Sequence, residues 1–414
     1  MEINVLCHEA KLASNKFFSV DTTKKNEILR KIKLGIESNV DKIKESNEID
    51  LENAKIAGIK GAFFDRLTLT DARIKTMCDG IEDIIKLPDY VGKVESKTIL
   101  ENGLELSRVH APLGVVGIIY EARPNVTVDA TALCIKSSNA VVLKGGKEAI
   151  NTNRILVDIM KKVLIEEGID HNFIAFIDST DREDTAKMLK CGTDIDVVIP
   201  RGGEKLKKFV VATATMPVIA SSGGNCHIFV EESANFDMAN KIIENAKISR
   251  PSVCNALETL LVQRSIASSF LNNCLENLYN KGVEIRGTKE VQGFFGKTKV
   301  IEEDEFYTEY EDMIIKVKIV DDINQAISLI NEYSTNHSDG IVTENKEHAD
   351  KFGREIDSAV VYVNASNRFT DGFCFGLGAE MGISTQKLHV RGPIGLKELT
   401  SIKYVVRGNG QVRL

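Results

Sequence analysis

The run Lys247-Ile248-Ser249-Arg250-Pro251-Ser252-Val253-Cys254-Asn255 precedes an apolar, β-branched stretch, Thr259-Leu260-Leu261-Val262. That order predicts a helix from Met238 to Ala246, a short loop carrying Cys254, and then a strand. Loops held by rigid elements are where reactive side chains are presented. A cysteine acts as a nucleophile when it is a thiolate, which nearby cations or a helix N-terminus favour, and Arg250 is the local candidate cation. The bland alternative is a small buried hydrophobe, the commoner fate of a cysteine in a reducing compartment. The motif alone leaves both readings open.

Such a loop needs a scaffold, and the upstream segments describe one. Ala111 to Tyr120 reads as one buried strand entering the turn Glu121-Ala122-Arg123-Pro124-Asn125. Asn139 to Leu143 is a second apolar strand, ending in Lys144-Gly145-Gly146-Lys147 before a helix. Ile195 to Pro200 is a third, ending in Arg201-Gly202-Gly203 before another helix. Repeated strand–turn–helix units predict an α/β chain with a doubly wound parallel sheet. Glycines at strand ends let a backbone approach a ligand, and helix N-termini bind anions. Tight structural turns explain the same glycines equally well, and no Gly-x-Gly-x-x-Gly fingerprint is present. The first ~90 residues carry helical periodicity, from Lys24 to Glu37 and from Ala72 to Ile85, with Thr70 as an N-cap.

Composition narrows the class. A chain of 414 residues exceeds one compact core, so two or more domains are expected. Its 43% hydrophobic and 27% charged content is that of a soluble globular protein. A formal charge of −7 offers no basic footprint for nucleic acid. Eight cysteines without C-x-x-C spacing suggest neither a disulfide framework nor a metal site. The charged N-terminal segment does not read as a signal peptide, and no apolar run reaches about 18 residues, so a cytoplasmic protein without membrane spans is expected.

Seven motifs together carry a resemblance. They are Pro112-Leu113-Gly114-Val115-Val116-Gly117, Tyr120 to Asp129, Ile199-Pro200-Arg201-Gly202-Gly203, Arg250 to Asn255, Tyr362 to Ser366, Phe375 to Glu380 and Ser384 to His389. In these, and in their order over nearly the whole chain, the sequence resembles the γ-glutamyl phosphate reductases of the aldehyde dehydrogenase superfamily. One signature, ending in His337-Ser338-Asp339, departs from the family pattern at Leu329.

The resemblance implies an aldehyde dehydrogenase-like fold in three parts. Residues 1–93 and 111–222 would bind NADP, residues 223–395 would carry the nucleophile, and residues 94–110 and 396–414 would form a small β flap for oligomerisation. It implies NADPH-dependent reduction of γ-glutamyl phosphate to glutamate 5-semialdehyde through a thioester on Cys254, a step of proline biosynthesis. Hydrolytic members of the superfamily use a glutamate to activate water; Ser221 stands at that position here, and a serine is no general base near neutral pH. The resemblance also implies roles for particular residues. Asn125 is a candidate oxyanion donor beside the Cys254 backbone N–H. Lys144 matches the lysine on the adenosine ribose. Lys147 replaces a glutamate common in NAD-preferring relatives, which favours a 2′-phosphate. Arg201, Gly202 and Gly203 would approach the pyrophosphate, and Glu309 would hold the nicotinamide ribose.

Arg123, Arg250 and Arg368 are the guanidinium groups available for substrate carboxylate and phosphate, and Asp371 and Glu121 are acids for its ammonium. His227 is either a donor near the site or a hydrogen-bonded core histidine. Implied partners are a second copy of the chain, in a dimer or tetramer, and transient association with glutamate 5-kinase. Two other readings compete: a CoA-acylating or hydrolytic aldehyde dehydrogenase, and a scaffold that has kept the fold without catalysis. Ser221 opposes hydrolysis, and the intact Cys254 motif opposes the scaffold.

Overall fold

An apolar run without polar alternation belongs in a sheet covered on both faces, and the strand Val115–Tyr120 is buried along its whole length. The computed structural model describes residues 2–413. By internal contacts the chain divides into two units. The first comprises Met1–Ala220, Gly376–Gly382 and Ile394–Leu414, and the second comprises Ser221–Phe375 and Ile383–Pro393.

The first unit is built on a four-stranded sheet in the order Ile174–Phe176, Ala140–Gly145, Val115–Tyr120, Val197–Arg201. All its pairings are parallel, with Val115 opposite Ala140 and Val116 opposite Val197. The helix Pro124–Lys136 follows the first of these strands in chain order, Val115–Tyr120, and opens on proline, whose missing N–H costs nothing at a first helical position. Ile150–Glu166 and Glu204–Thr213 follow the other long strands. Five helices precede the sheet: Ile3–Phe17, Thr22–Glu37, Val40–Ile56, Gly61–Leu67 and Asp71–Lys86. In Thr22–Glu37 the stripe Ile28, Leu29, Ile32 and Ile36 is buried, whereas Leu34, off that stripe, is exposed. Thr70 caps Asp71–Lys86 by accepting the Arg73 N–H, as expected.

The expected single strand from Ala111 to Tyr120 is two strands in different sheets. Glu105–Pro112 ends where Asn139 Oδ1 takes the Gly114 N–H (2.8 Å) and Asp196 Oδ2 takes the Val115 N–H (2.7 Å). Side chains satisfy the backbone there, so the ladder stops. Glu105–Pro112 instead pairs antiparallel with Val94–Ile99 and with Thr400–Arg407, forming a three-stranded ribbon. Every residue of Val94–Ile99 is exposed.

The second unit holds a seven-stranded parallel sheet. Its order is Lys299–Val300, Glu284–Gly287, Ile314–Val320, Leu257–Gln263, Cys226–Val230, Ser338–Val342, Val360–Val363. The central strand Leu257–Gln263 is wholly buried. One face packs on Ile243, Phe270 and Leu271, the other on Ile327, Ile330 and Phe352. Helices on both faces give the doubly wound architecture. Among the described residues no helix is long and apolar enough to cross a membrane. Among the same residues no group of three or more His, Cys, Asp or Glu is arranged to hold a metal ion.

Candidate active site and cofactor cleft

Cys254 lies in the turn between the helix Phe236–Ile248 and the strand Leu257–Gln263. Val253 O accepts the Ala256 N–H (2.9 Å), closing that turn. Asn255 Nδ2 donates to Thr370 O (2.8 Å) and tethers the turn to the segment after the edge strand Val360–Val363. Of the eight cysteines, Cys254 alone is half-buried; six are buried and Cys374 is exposed. Burial pushes the Cys78 thiol up to about 11 and Cys274 up to about 12, and it pushes Cys226 well above the ordinary thiol value. Those three are packing groups at neutral pH. Cys226 Sγ donates to Cys254 O (3.2 Å), so it supports the turn from beneath.

Two guanidinium groups attend the turn. Arg368 Nε donates to Ser249 Oγ (3.1 Å). Burial and the charge of Arg250 both hold the Arg368 pKa below its ordinary value, while Cys254 and Asp371 act in the opposite sense. Two cations gathered at one cysteine favour its thiolate and create a demand for an anion. Asp371 is turned into its own loop, where Oδ1 accepts the Phe373 N–H at 2.9 Å. His227 is completely buried, with Nδ1 3.1 Å from Asp339 Oδ1, which makes it a core histidine.

Glu309 and Ser221 meet the segment facing Cys254. Glu309 Oε1 accepts the Gly224 N–H (2.7 Å), and Ser221 Oγ bonds within its own turn to Gly223 (3.3 Å). Beneath them Lys316, with no exposed surface, donates to Asn225 Oδ1 (2.8 Å), Phe306 O (3.2 Å) and Thr308 O. Burial pushes the Lys316 ammonium down to about 8. Lys247 and Glu258 are paired at 3.2 Å in the same interior, with burial pushing the lysine down and the carboxyl up. Periodicity gave no sign of this polar interior, because its members lie on different elements.

In the first unit a cleft of about 540 Å³ opens at the C-terminal ends of the strands. Lys144, Lys147, Gly145 and Gly146 line it, with Phe63, Ile119, Leu206 and Phe209 as apolar walls. Its size is that of a small-molecule site, and strand C-termini are where open α/β sheets bind ligands. Lys144 Nζ donates to Ser179 O (2.6 Å); burial lowers its pKa, against the pull of Asp184, Asp181 and Asp178. Arg182 and Lys205 line the same cleft and were not expected there. Arg182 follows the strand Ile174–Phe176, three residues long and too short for periodicity to reveal. These four cations, with the acids Glu121, Glu148 and Asp181 and the apolar walls, give a cleft suited to a phosphate-bearing nucleotide.

Gly203 N donates to Glu121 Oε2 (2.9 Å), so Glu121 sits at the start of the helix Glu204–Thr213. Arg123, Asn125 and Arg201 line a separate cavity of about 50 Å³, with Asp129 and Glu380. Asn125 Nδ2 donates to Asp129 Oδ2 (2.9 Å) within it.

Comparison with known proteins places this arrangement. The aldehyde dehydrogenase family profile matches residues 1–285. γ-Glutamyl phosphate reductase of Caldicellulosiruptor bescii is 53% identical over 409 residues, 98% of each chain. The enzyme of that name from Caldanaerobacter subterraneus is 48% identical over the full length of both. The crystal structure of γ-glutamyl phosphate reductase from Thermotoga maritima superposes with a TM-score of 0.98 at 44% identity, covering 100% of each chain. An acetylating aldehyde dehydrogenase from Geobacillus thermoglucosidasius shares the fold, with a TM-score of 0.72 at 16% identity. The chain belongs to the γ-glutamyl phosphate reductases, a branch of the aldehyde dehydrogenase family.

Proposed function

We propose that the protein reduces γ-glutamyl phosphate to glutamate 5-semialdehyde with NADPH, releasing phosphate, in the synthesis of proline from glutamate. The observation that carries this reading is a half-buried Cys254 attended by Arg250 and Arg368, in a chain so similar to enzymes of that name. The Cys254 thiolate attacks the acyl carbon. A C–S bond forms, the bond from carbon to the phosphate oxygen breaks, and phosphate leaves. Bound NADPH supplies the hydride that reduces the resulting thioester. Collapse of the thiohemiacetal then breaks C–S, frees the aldehyde and restores the thiolate. Arg250 and Arg368 neutralise the anionic leaving group, and the Cys254 N–H, with Asn125 as a second candidate, faces the oxyanion.

Lys144, Lys147, Arg182 and Lys205 would hold the cofactor, with its 2′-phosphate at Lys147, and Gly202 and Gly203 would approach its pyrophosphate. Glu309 would face the nicotinamide ribose. Binding of the cofactor's phosphates is thus assigned to the first unit, and Glu309 and the thioester chemistry belong to the second. The open edge of Val94–Ile99 suits a second copy of the chain, since an unpaired strand edge invites pairing. Glutamate 5-kinase, which makes the acyl phosphate, is the natural transient partner in the cytoplasm.

The test is reduction of NADP+ by glutamate 5-semialdehyde. The wild type should be active only with phosphate, and Cys254→Ala should be inactive. Activity retained by Cys254→Ala contradicts the reading.

A further inference from the structure

Lys316 is a buried cation of the second unit that the chemistry above does not use. It lies in the strand Ile314–Val320 and has no exposed surface. Its ammonium has three protons and meets three acceptors: Asn225 Oδ1 (2.8 Å), Phe306 O (3.2 Å) and Thr308 O. All three are neutral oxygens. Asn225 has no freedom to turn its oxygen away, because Nδ2 already donates to Phe306 O (2.9 Å) and Tyr333 O (2.8 Å). One proton therefore serves each acceptor, with none to spare.

Those acceptors flank the contact on which Cys254 is seated. Asn225 follows Gly224, and Thr308 precedes Glu309. Glu309 Oε1 accepts the Gly224 N–H (2.7 Å), and Gly224 packs on the Cys254 backbone. Gly223 lies against the same carboxylate: with φ at +107°, a Cβ there would fall 2.6 Å from Glu309 Oε2. Lys316 thus holds both ends of the Glu309–Gly224 bond, all within the second unit. A neutral amine would bring two protons to three acceptors and turn its lone pair on one of them. Either Asn225 or the segment leading to Glu309 would then lose its hold, at the cost of a buried unmatched oxygen.

The charges around Lys316 are Glu258, Lys247, Glu305 and Glu309, and the Tyr310 ring centroid lies 5.2 Å from Nζ. Glu258 is already taken, Oε1 by Lys247 (3.2 Å) and Oε2 by the Tyr310 N–H (3.0 Å). In the flanking strands Thr259 and Arg286 stand opposite Lys316, and Arg286 is bonded to Glu284 (2.7 Å) and Glu305. Lys318, two residues along the strand, is bonded to Glu303. Burial outweighs the nearby acids and brings the Lys316 ammonium down to about 8. We propose that Lys316 is a positioning residue for the reaction, its ammonium fixing Glu309 against the seat of Cys254, so that turnover is lost with its third proton. The inference rests on the reading of Cys254 as the nucleophile.

The test is the pH profile of kcat for glutamate 5-semialdehyde, NADP+ and phosphate, from about pH 6.5 to 10, in the wild type, Lys316→Met and Lys316→Arg. The wild type should show a descending limb near the Lys316 value of about 8. Cys254 cannot supply that limb, since losing its proton makes the nucleophile. Lys316→Met should lower kcat at neutral pH by on the order of 100-fold and abolish the limb, the loss expected for a misplaced reacting centre. Lys316→Arg keeps its charge over the whole range and should move the limb beyond about pH 10. A merely structural lysine would lower the melting temperature of Lys316→Met and leave the limb where it was. A wild type without the limb, a limb unmoved in either variant, or a kcat for Lys316→Met within about 3-fold of the wild type overturns the inference. If Lys316→Met does not fold, the position of the limb in Lys316→Arg decides. A wild type inactive on glutamate 5-semialdehyde would instead sink the proposed function, a separate outcome.

Discussion

Gly224 and Cys254 touch backbone to backbone: a Cβ built on Gly224 would fall 1.8 Å from Cys254 O and 2.5 Å from Cys254 Cα. The nucleophile's turn is thus seated on the Ser221–Asn225 segment, and its height is set by that contact. Glu309 holds Gly224 by its N–H, and Lys316 holds Asn225 and the carbonyls of Phe306 and Thr308.

Gly224→Ala should therefore displace Cys254 while leaving the lysines of the first unit's cleft in place. A misplacement of about 1 Å at a reacting centre costs on the order of 100-fold in rate. We expect kcat to fall by at least that factor with NADPH affinity nearly unchanged. Steady-state kinetics with fluorescence titration of NADPH checks this; a variant with near-normal kcat would show that the turn relaxes freely.

Lys147→Glu should weaken NADPH use far more than NADH use, by roughly 10- to 150-fold for one charge-assisted contact. Arg182→Glu should act in the same direction, because both cations line one cleft. Equal losses with the two cofactors would remove both residues from the 2′-phosphate.

Much of this site was legible because it is local. The Cys254 turn, the glycines at strand ends and Lys144 are each set by a few adjacent residues, and the structure finds the expected helix and strand on either side of Cys254. Other features depend on packing between distant segments. Arg182 reaches the cleft from the start of the helix Arg182–Met188, which follows a strand of only three residues. The break before Val115 is made by Asp196 and Asn139, remote in sequence. Glu380 lines one cavity with Arg201 only because the seven residues Gly376–Gly382 rejoin the first unit. Periodicity carries no information about such crossings.

With serine at 221, water lacks a general base, worth about 100- to 10,000-fold. Oxidation of glutamate 5-semialdehyde without phosphate should be slower than with it by at least the lower figure. Ser221→Glu should raise the phosphate-independent rate. Brisk phosphate-independent turnover by the wild type would mean that another group activates water.

The central claim is a γ-glutamyl thioester on Cys254. Mixing the enzyme with glutamate 5-semialdehyde and NADP+ in the absence of phosphate, then quenching in acid, should give a burst of about one NADPH per subunit. Mass spectrometry of the digest should find the γ-glutamyl adduct on the peptide bearing Cys254. Adding phosphate before the quench should remove it. No burst, or an adduct on Cys374 or any other cysteine with Cys254 unmodified, would contradict the account.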